Sequence, residues 1–158
     1  MEPSHQIING LLIDIFNDIL HIEESVLKAG EFSDLSVTEM HTVEAIGLFD
    51  KPTMGEVAKK LDVTVGTLSV AVANLVSKGY AQRFRGEDDR RVVRIGLTKK
   101  GRVLFRVHER FHMQVVKASV EGLTEDEEKV ITKAFVKLHS FLKGKYAQSH
   151  ESGGNSCK

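Results

Sequence analysis

Three times along the chain a Ser or Thr stands three residues ahead of a Glu at the head of an apolar stretch: Ser36 with Glu39, Thr53 with Glu56, and Thr124 with Glu127. Each pair is a capping box, in which hydroxyl and carboxylate satisfy the orphan N–H groups of a first helical turn, so each marks where a helix begins. The first box opens a helix with Met40, Val43, Ile46, Leu48 and Phe49, ending near Asp50. The second opens a short helix with Val57, Ala58 and Leu61. Thr64 caps another, through Leu68, Val72 and Leu75, and Gly79 fits its C′ position.

The flanking segments have other signatures. From Ile7 to Leu27 apolar residues come in pairs four apart, Ile7/Ile8, Leu11/Leu12, Ile15/Phe16 and Ile19/Leu20, then Val26/Leu27, which predicts a long helix with one broad apolar stripe. Ala81 to Arg85 and Val92 to Leu97 are rich in β-branched residues and Arg, and flank Gly86-Glu87-Asp88-Asp89-Arg90, the pattern of a hairpin with a charged tip. Thr98 can cap a fifth helix with Val103, Leu104, Val107, Phe111, Val115 and Val116 on one face, broken at Gly122. The Thr124 box starts a sixth through Val130, Phe135, Leu138 and Leu142, and beyond Ala147 disorder is expected.

Charge is distributed unevenly behind a net value of zero. Residues 1–77 hold 4 basic and 12 acidic side chains, residues 78–110 hold 11 and 4, and residues 111–158 hold 7 and 6. One basic face for a polyanion is the functional reading; a solvated surface is the bland one. The 158 residues suffice for one domain with a real core. The single cysteine, Cys157, rules out a disulfide framework or a Cys-based metal cage. No apolar run approaches the ~20 residues of a membrane span, and Met1 to Gln6 lacks a signal-peptide layout, so a soluble, cytoplasmic protein without membrane contact is expected.

Three short helices followed by a two-stranded ribbon predict a mostly α fold: a winged helix-turn-helix with a two-stranded β wing and a helical dimerisation region. The parts divide as a dimerisation helix, 1–34, a DNA-binding region, 35–97, dimerisation helices, 98–147, and a tail, 148–158. The helix beginning at Thr64 would enter the major groove, with Thr64, Val65, Gly66, Thr67, Ser69, Val70 and Asn74 outward and no Arg, Lys or Gln among them. Such small residues suit close approach to an AT-rich site, with Arg91 reaching a narrow minor groove, Asp89 orienting it and Arg90 beside them. A helix–helix contact is the alternative use of that surface. Long amphipathic helices outside the module need a partner, and a homodimer matches a palindromic operator in double-stranded DNA.

Asp89-Arg90-Arg91 leading through a strand to Leu97-Thr98, with this helix order over residues 5–146, resembles the MarR family of bacterial transcription regulators. Segments 39–47, 64–67 and 89–93 are similar to those of its fatty-acid-synthesis repressors, found in streptococci and their relatives. That resemblance implies a dimeric repressor of fatty-acid biosynthesis genes rather than an enzyme, with no required cofactor and with long-chain acyl carrier protein delivering an acyl group as corepressor. Leu12, Ile15, Phe16, Ile19, Met40, Val43 and Phe111 could wall the acyl channel, or simply fill the core. The acidic carrier protein would need exposed cations, for which Arg102, Arg106 and Arg110, four apart on the fifth helix, are candidates.

A competing constellation involves histidines. His108-Glu109-Arg110-Phe111-His112 satisfies the H-E-x-x-H pattern of zinc proteases, but a protease also needs a third ligand and a substrate cleft. Zinc-dependent MarR-family repressors use one Glu from the first helix, one His from the second and a His-x-x-x-His pair on the fifth, which resemblance places here at Glu23, His41, His108 and His112. A zinc-responsive repressor is therefore the second functional reading, and a hydrogen-bonded polar cluster is the structural one. His5, His21, His139 and His150 follow no ligand spacing.

Overall fold

The computed structural model describes residues 2–85 and 92–152, with side chains as far as Lys145. The elements run α1 Pro3–Ala29, α2 Val37–Ile46, α3 Met54–Leu61, α4 Val65–Ser77, β1 Ala81–Arg85, β2 Val93–Leu97, α5 Lys99–Val120 and α6 Glu125–Ser152. This is the expected mostly α, winged-helix order. All three capping boxes form: the Ser36, Thr53 and Thr124 hydroxyls accept the backbone N–H of Glu39, Glu56 and Glu127, whose carboxylates reach back to the capping residues' N–H.

Two expected boundaries shift. The second helix stops at Ile46, because Gly47 takes φ +84°, and Phe49 is left 77% exposed in a loop rather than on a helix face. At the other end α6 continues to Ser152, past the expected boundary at 147/148. Residues 153–158 lie outside the described residues.

The chain divides into two units, Met1–Phe111 and His112–Lys158. The first holds the buried core, with Leu27, Phe32, Met40, Val43, Ile46, Val57, Leu68, Val72, Leu75, Tyr80, Ile95 and Leu104 all buried. The expected boundaries at 34/35 and 97/98 therefore mark loops rather than edges of packing, because Leu27 of α1 and Leu104 of α5 share the core of the 35–97 module. The second unit consists of the end of α5 and α6; on α6 Val130, Phe135, Phe141 and Leu142 are 51–68% exposed. Among the described residues no single helix is long and apolar enough to cross a membrane.

Within the first unit, α3 and α4 meet at 107° through Asp62, Val63 and Thr64, the angle of a helix-turn-helix. Asp62 makes the turn in the left-handed region, φ 55°, where its short side chain is tolerated. β1 pairs antiparallel with β2 from Ala81↔Leu97 to Arg85↔Val93. The outer edge of β2 is covered by the α2–α3 loop, where Ile95 N–H donates to Pro52 and Thr53 bridges Arg94, which blunts an otherwise open strand edge. The base of this ribbon is pinned to α5 by Thr98, whose N–H donates to the Tyr80 carbonyl and whose hydroxyl donates to Gly79. Gly101 permits this close crossing: a Cβ there would lie 2.0 Å from the Tyr80 carbonyl oxygen.

Candidate functional site

Helix α4 sorts its side chains as its 3.6-residue period requires. Leu68, Val72 and Leu75 are buried, Ser69 and Ala71 are half-buried, and Thr64, Val65, Gly66, Thr67, Val70 and Asn74 are exposed. Val65 and Val70, at 51% and 64%, are apolar groups held in solvent at the front of a helix whose other face is fully packed. Thr64 caps the helix through Thr67 N–H, and its hydroxyl also lies 2.9 Å from that of Thr67. Four of the first six residues of this segment are thus short and exposed, so a duplex backbone or groove can approach the helix N-terminus closely. The wing residues Asp89, Arg90 and Arg91 lie outside the described residues.

An open groove of about 620 Å³ runs between the first turn of α2 and the outer side of α4, lined by Ser36, Thr38 and Glu39 on one wall and Thr67, Val70, Asn74 and Lys78 on the other. The α2 wall was not foreseen as part of this surface; its capping box located the helix start but carries no sign of which element it would face. Across the groove floor Lys78 Nζ donates to both oxygens of the buried Glu39 carboxylate at 2.8 Å. Burial would raise the Glu39 pKa, but the bonds from Lys78 and Ser36 outweigh it and hold it below the ordinary carboxylate value. Nearby, Tyr80 Oη donates to Asp34 at 2.7 Å and Lys100 Nζ sits 4.0 Å from the Tyr80 ring centre. The Tyr80 hydroxyl, helped by Lys100, holds Asp34 below its usual range; burial, then Asp34, pushes Tyr80 up.

The histidine constellation partly assembles. Glu23, 3% exposed, points its carboxylate at two imidazoles, with Oε2 3.2 Å from His41 Nε2 and Oε1 3.0 Å from His108 Nε2. His108 Nδ1 lies 3.7 Å from Glu44, and the two imidazole centres are 5.6 Å apart. Ligand atoms of Glu23, His41 and His108 fall within 4.8 Å of one another, so this donor set fits a first-row metal as well as a proton-sharing cluster. His112, the fourth expected ligand, stands one turn further along α5, in the second unit.

A small, partly open apolar cavity of about 20 Å³, roughly the room of one water, adjoins this cluster. Its walls are Val26, Leu27, Phe32, Met40, Leu104, Val107 and Phe111, with Glu23 and His108 at one end. Of the seven residues expected around an acyl chain, Met40 and Phe111 line it. Val43 is instead in the core, while Leu12, Ile15 and Phe16 are 41–65% exposed and Ile19 is half-buried on a part of α1 that little in its own chain covers. Of the three arginines, Arg102 donates to the Leu97 carbonyl at 2.9 Å, and Arg106 and Arg110 are exposed.

The sequence profile of the MarR family matches residues 33–92. Among solved structures, Streptococcus pneumoniae FabT in complex with DNA is 44% identical, with a TM-score of 0.81, over 89% of this chain and 98% of that one. The S. aureus MepR–DNA complex has the same fold, at 24% identity and TM-score 0.67, over 84% and 94% of the two chains. The HTH-type transcriptional regulator PchR of Bacillus subtilis is 22% identical over 84% of this chain and 88% of its own. PchR is a transcriptional regulator and the FabT and MepR structures are DNA complexes, so the H-E-x-x-H pattern at His108–His112 is not read as a protease motif. A helix-turn-helix with an exposed reading helix, a paired ribbon behind it and 44% identity to FabT over nearly all of that protein lead to one conclusion: the chain belongs to the MarR family of DNA-binding transcription regulators.

Proposed function

We propose that the protein is a cytoplasmic homodimeric repressor of fatty-acid biosynthesis genes, with long-chain acyl carrier protein as corepressor. The observation that carries this reading is the 44% identity to FabT, joined to the segments 39–47, 64–67 and 89–93 that resemble fatty-acid-synthesis repressors. A second copy of the chain is the natural cover for Ile7, Leu11, Ile15 and Phe16 of α1, all more than half exposed, since so continuous an apolar stripe is costly in water. In that dimer the two α4 helices would read the half-sites of a palindromic, AT-rich operator in double-stranded DNA.

The acyl group has an apolar site to enter, but only by opening it. A chain of about sixteen carbons needs several hundred Å³, against about 20 Å³ between Met40 and Phe111. A ligand that binds only the opened arrangement shifts the protein toward it, and can thereby change operator affinity. Arg106 and Arg110 offer exposed cations for the acidic carrier protein, whereas Arg102 is already engaged with Leu97. Titrating acylated and unacylated carrier protein into a labelled promoter duplex tests this: only the acylated form raises affinity. An equal response to both removes the lipid-sensing role and leaves a MarR-family regulator of other ligands.

The Glu23, His41 and His108 cluster favours a second reading, in which zinc binds these three donors. Bound there, zinc would replace the hydrogen bonds among these groups and tie α1, α2 and α5 together near the cavity. Equilibrium dialysis of Zn²⁺ against the wild type and Glu23→Gln measures it. One ion per chain, lost in the variant, supports the zinc reading; negligible zinc in both leaves a polar cluster.

A further inference from the structure

We propose that Glu39 and Lys78 are positioning residues for DNA binding: their ion pair fixes the C-terminal end of α4 against the first turn of α2, and so sets the angle at which Thr64 to Asn74 meets a major groove. The proposal rests on α4 reading DNA. It concerns residues at the opposite end of that helix from its N-terminal contact surface.

Four observations converge on the pair. Lys78 is the C-cap of α4, its N–H bonded to Asn74, and its cation stands at the negative end of the helix dipole. Its Nζ meets both Glu39 oxygens at 2.8 Å, and the Glu39 side chain is only 7% exposed, so the carboxylate side of the contact is shielded from solvent. The same carboxylate accepts Ser36 N–H at 2.8 Å as part of the α2 capping box, which leaves it little freedom to follow a moving lysine. Finally, Lys100 of α5 reaches the Lys78 carbonyl at 3.4 Å and Asp34 at 3.8 Å, so α4, α5 and the loop before α2 converge on this corner.

The alternative use of Lys78 is a direct phosphate contact, and charge chemistry separates the two. A phosphate-contacting lysine would bind DNA through its own charge; Glu39 would then be a competitor, and removing its charge would strengthen binding. A positioning lysine needs Glu39. Losing either partner would release the α4 end, with the larger effect for Lys78, whose loss leaves a buried carboxylate unpaired beside the groove. The salt dependence would not change, since no phosphate contact is gained or lost.

The test uses the full chain and two duplexes, one selected from a random pool on the wild type and a scrambled one of equal composition. Glu39→Gln, Lys78→Met and the double variant are assayed across salt, with thermal melts to identify a folded temperature range. Expected are losses of about tenfold or more on the selected duplex for each single variant, less than about twofold on the scrambled one, and a double variant no worse than Lys78→Met. The slope of log affinity against log salt should match wild type. A shallower slope by about one in Lys78→Met, with Glu39→Gln binding as well as or better than wild type, overturns the proposal in favour of a phosphate contact. Wild-type affinity in both single variants overturns it outright. If Lys78→Met does not fold, the isosteric Glu39→Gln and the polar, uncharged Lys78→Gln carry the same comparison. Failure of the wild type to select any duplex would count against α4 as a DNA reader, a distinct result from either of these.

Discussion

Gly101→Ala sets two physical effects against each other. In a helix interior Gly→Ala ordinarily stabilises by about 1 kcal/mol, because Ala loses less backbone entropy. At Gly101, however, the new Cβ would lie 2.0 Å from the Tyr80 carbonyl oxygen and 3.3 Å from Leu97 Cβ. A carbon–oxygen contact is comfortable at about 3.3 Å, so α5 must retreat from the ribbon by more than 1 Å. Both bonds at the crossing, Thr98 N–H to Tyr80 at 3.0 Å and the Thr98 hydroxyl to Gly79 at 2.6 Å, would be stretched. Each contributes about 1 kcal/mol and overpacking costs a further 1–3 kcal/mol, so after the propensity gain the net loss should be about 3 kcal/mol. Urea unfolding at fixed chain concentration measures it, since the proposed dimer would make stability concentration-dependent. Gly55→Ala is the control: its nearest outside atom is 4.0 Å away, and it should be neutral or mildly stabilising. A Gly101→Ala protein as stable as wild type would refute the close-crossing argument.

Three further outcomes are expected. Val70→Glu places a carboxylate on the exposed front of α4 and should cut operator affinity at least about tenfold while changing stability by under about 0.5 kcal/mol, as gel shift and thermal melts would register. Tyr80→Phe removes the donor to Asp34 and should cost about 1 kcal/mol near neutral pH. Because the folded Asp34 pKa is lowered, its contribution is present above the usual carboxylate value and fades as pH falls through the folded value, so the Tyr80→Phe deficit should shrink below about pH 4 in acid titrations. Arg91→Ala should weaken operator binding and make its salt slope shallower by about one; an unchanged slope would remove the wing from the interface.

Local chemistry made most of the fold legible. A capping box specifies a helix start through atoms three residues apart, and the boxes at Ser36, Thr53 and Thr124 all formed. Boundaries failed where the deciding interaction was not in the local pattern: Gly47 turns to positive φ before Leu48 and Phe49, although their spacing continues the helical stripe. The exposed front of α4 followed from the 3.6 period alone. Glu39 could be read as a capping residue but not as the partner of Lys78, 39 positions away, because the capping role already accounts for a Glu at that site. The residues expected around an acyl chain divided for a related reason. Apolar periodicity identifies a face, yet it does not distinguish a cavity wall such as Phe111 from the core residue Val43, or from Phe16 on a stripe that awaits another surface.

The central claim, that two α4 helices of a homodimer read successive major grooves, is tested most directly by a hydroxyl-radical footprint on a duplex selected by the protein, with chain stoichiometry measured on the same complex. The account predicts two symmetry-related protected windows centred about ten base pairs apart, with two chains per duplex and both windows lost together in Val70→Glu. A single protected window, or one chain per duplex, would contradict it.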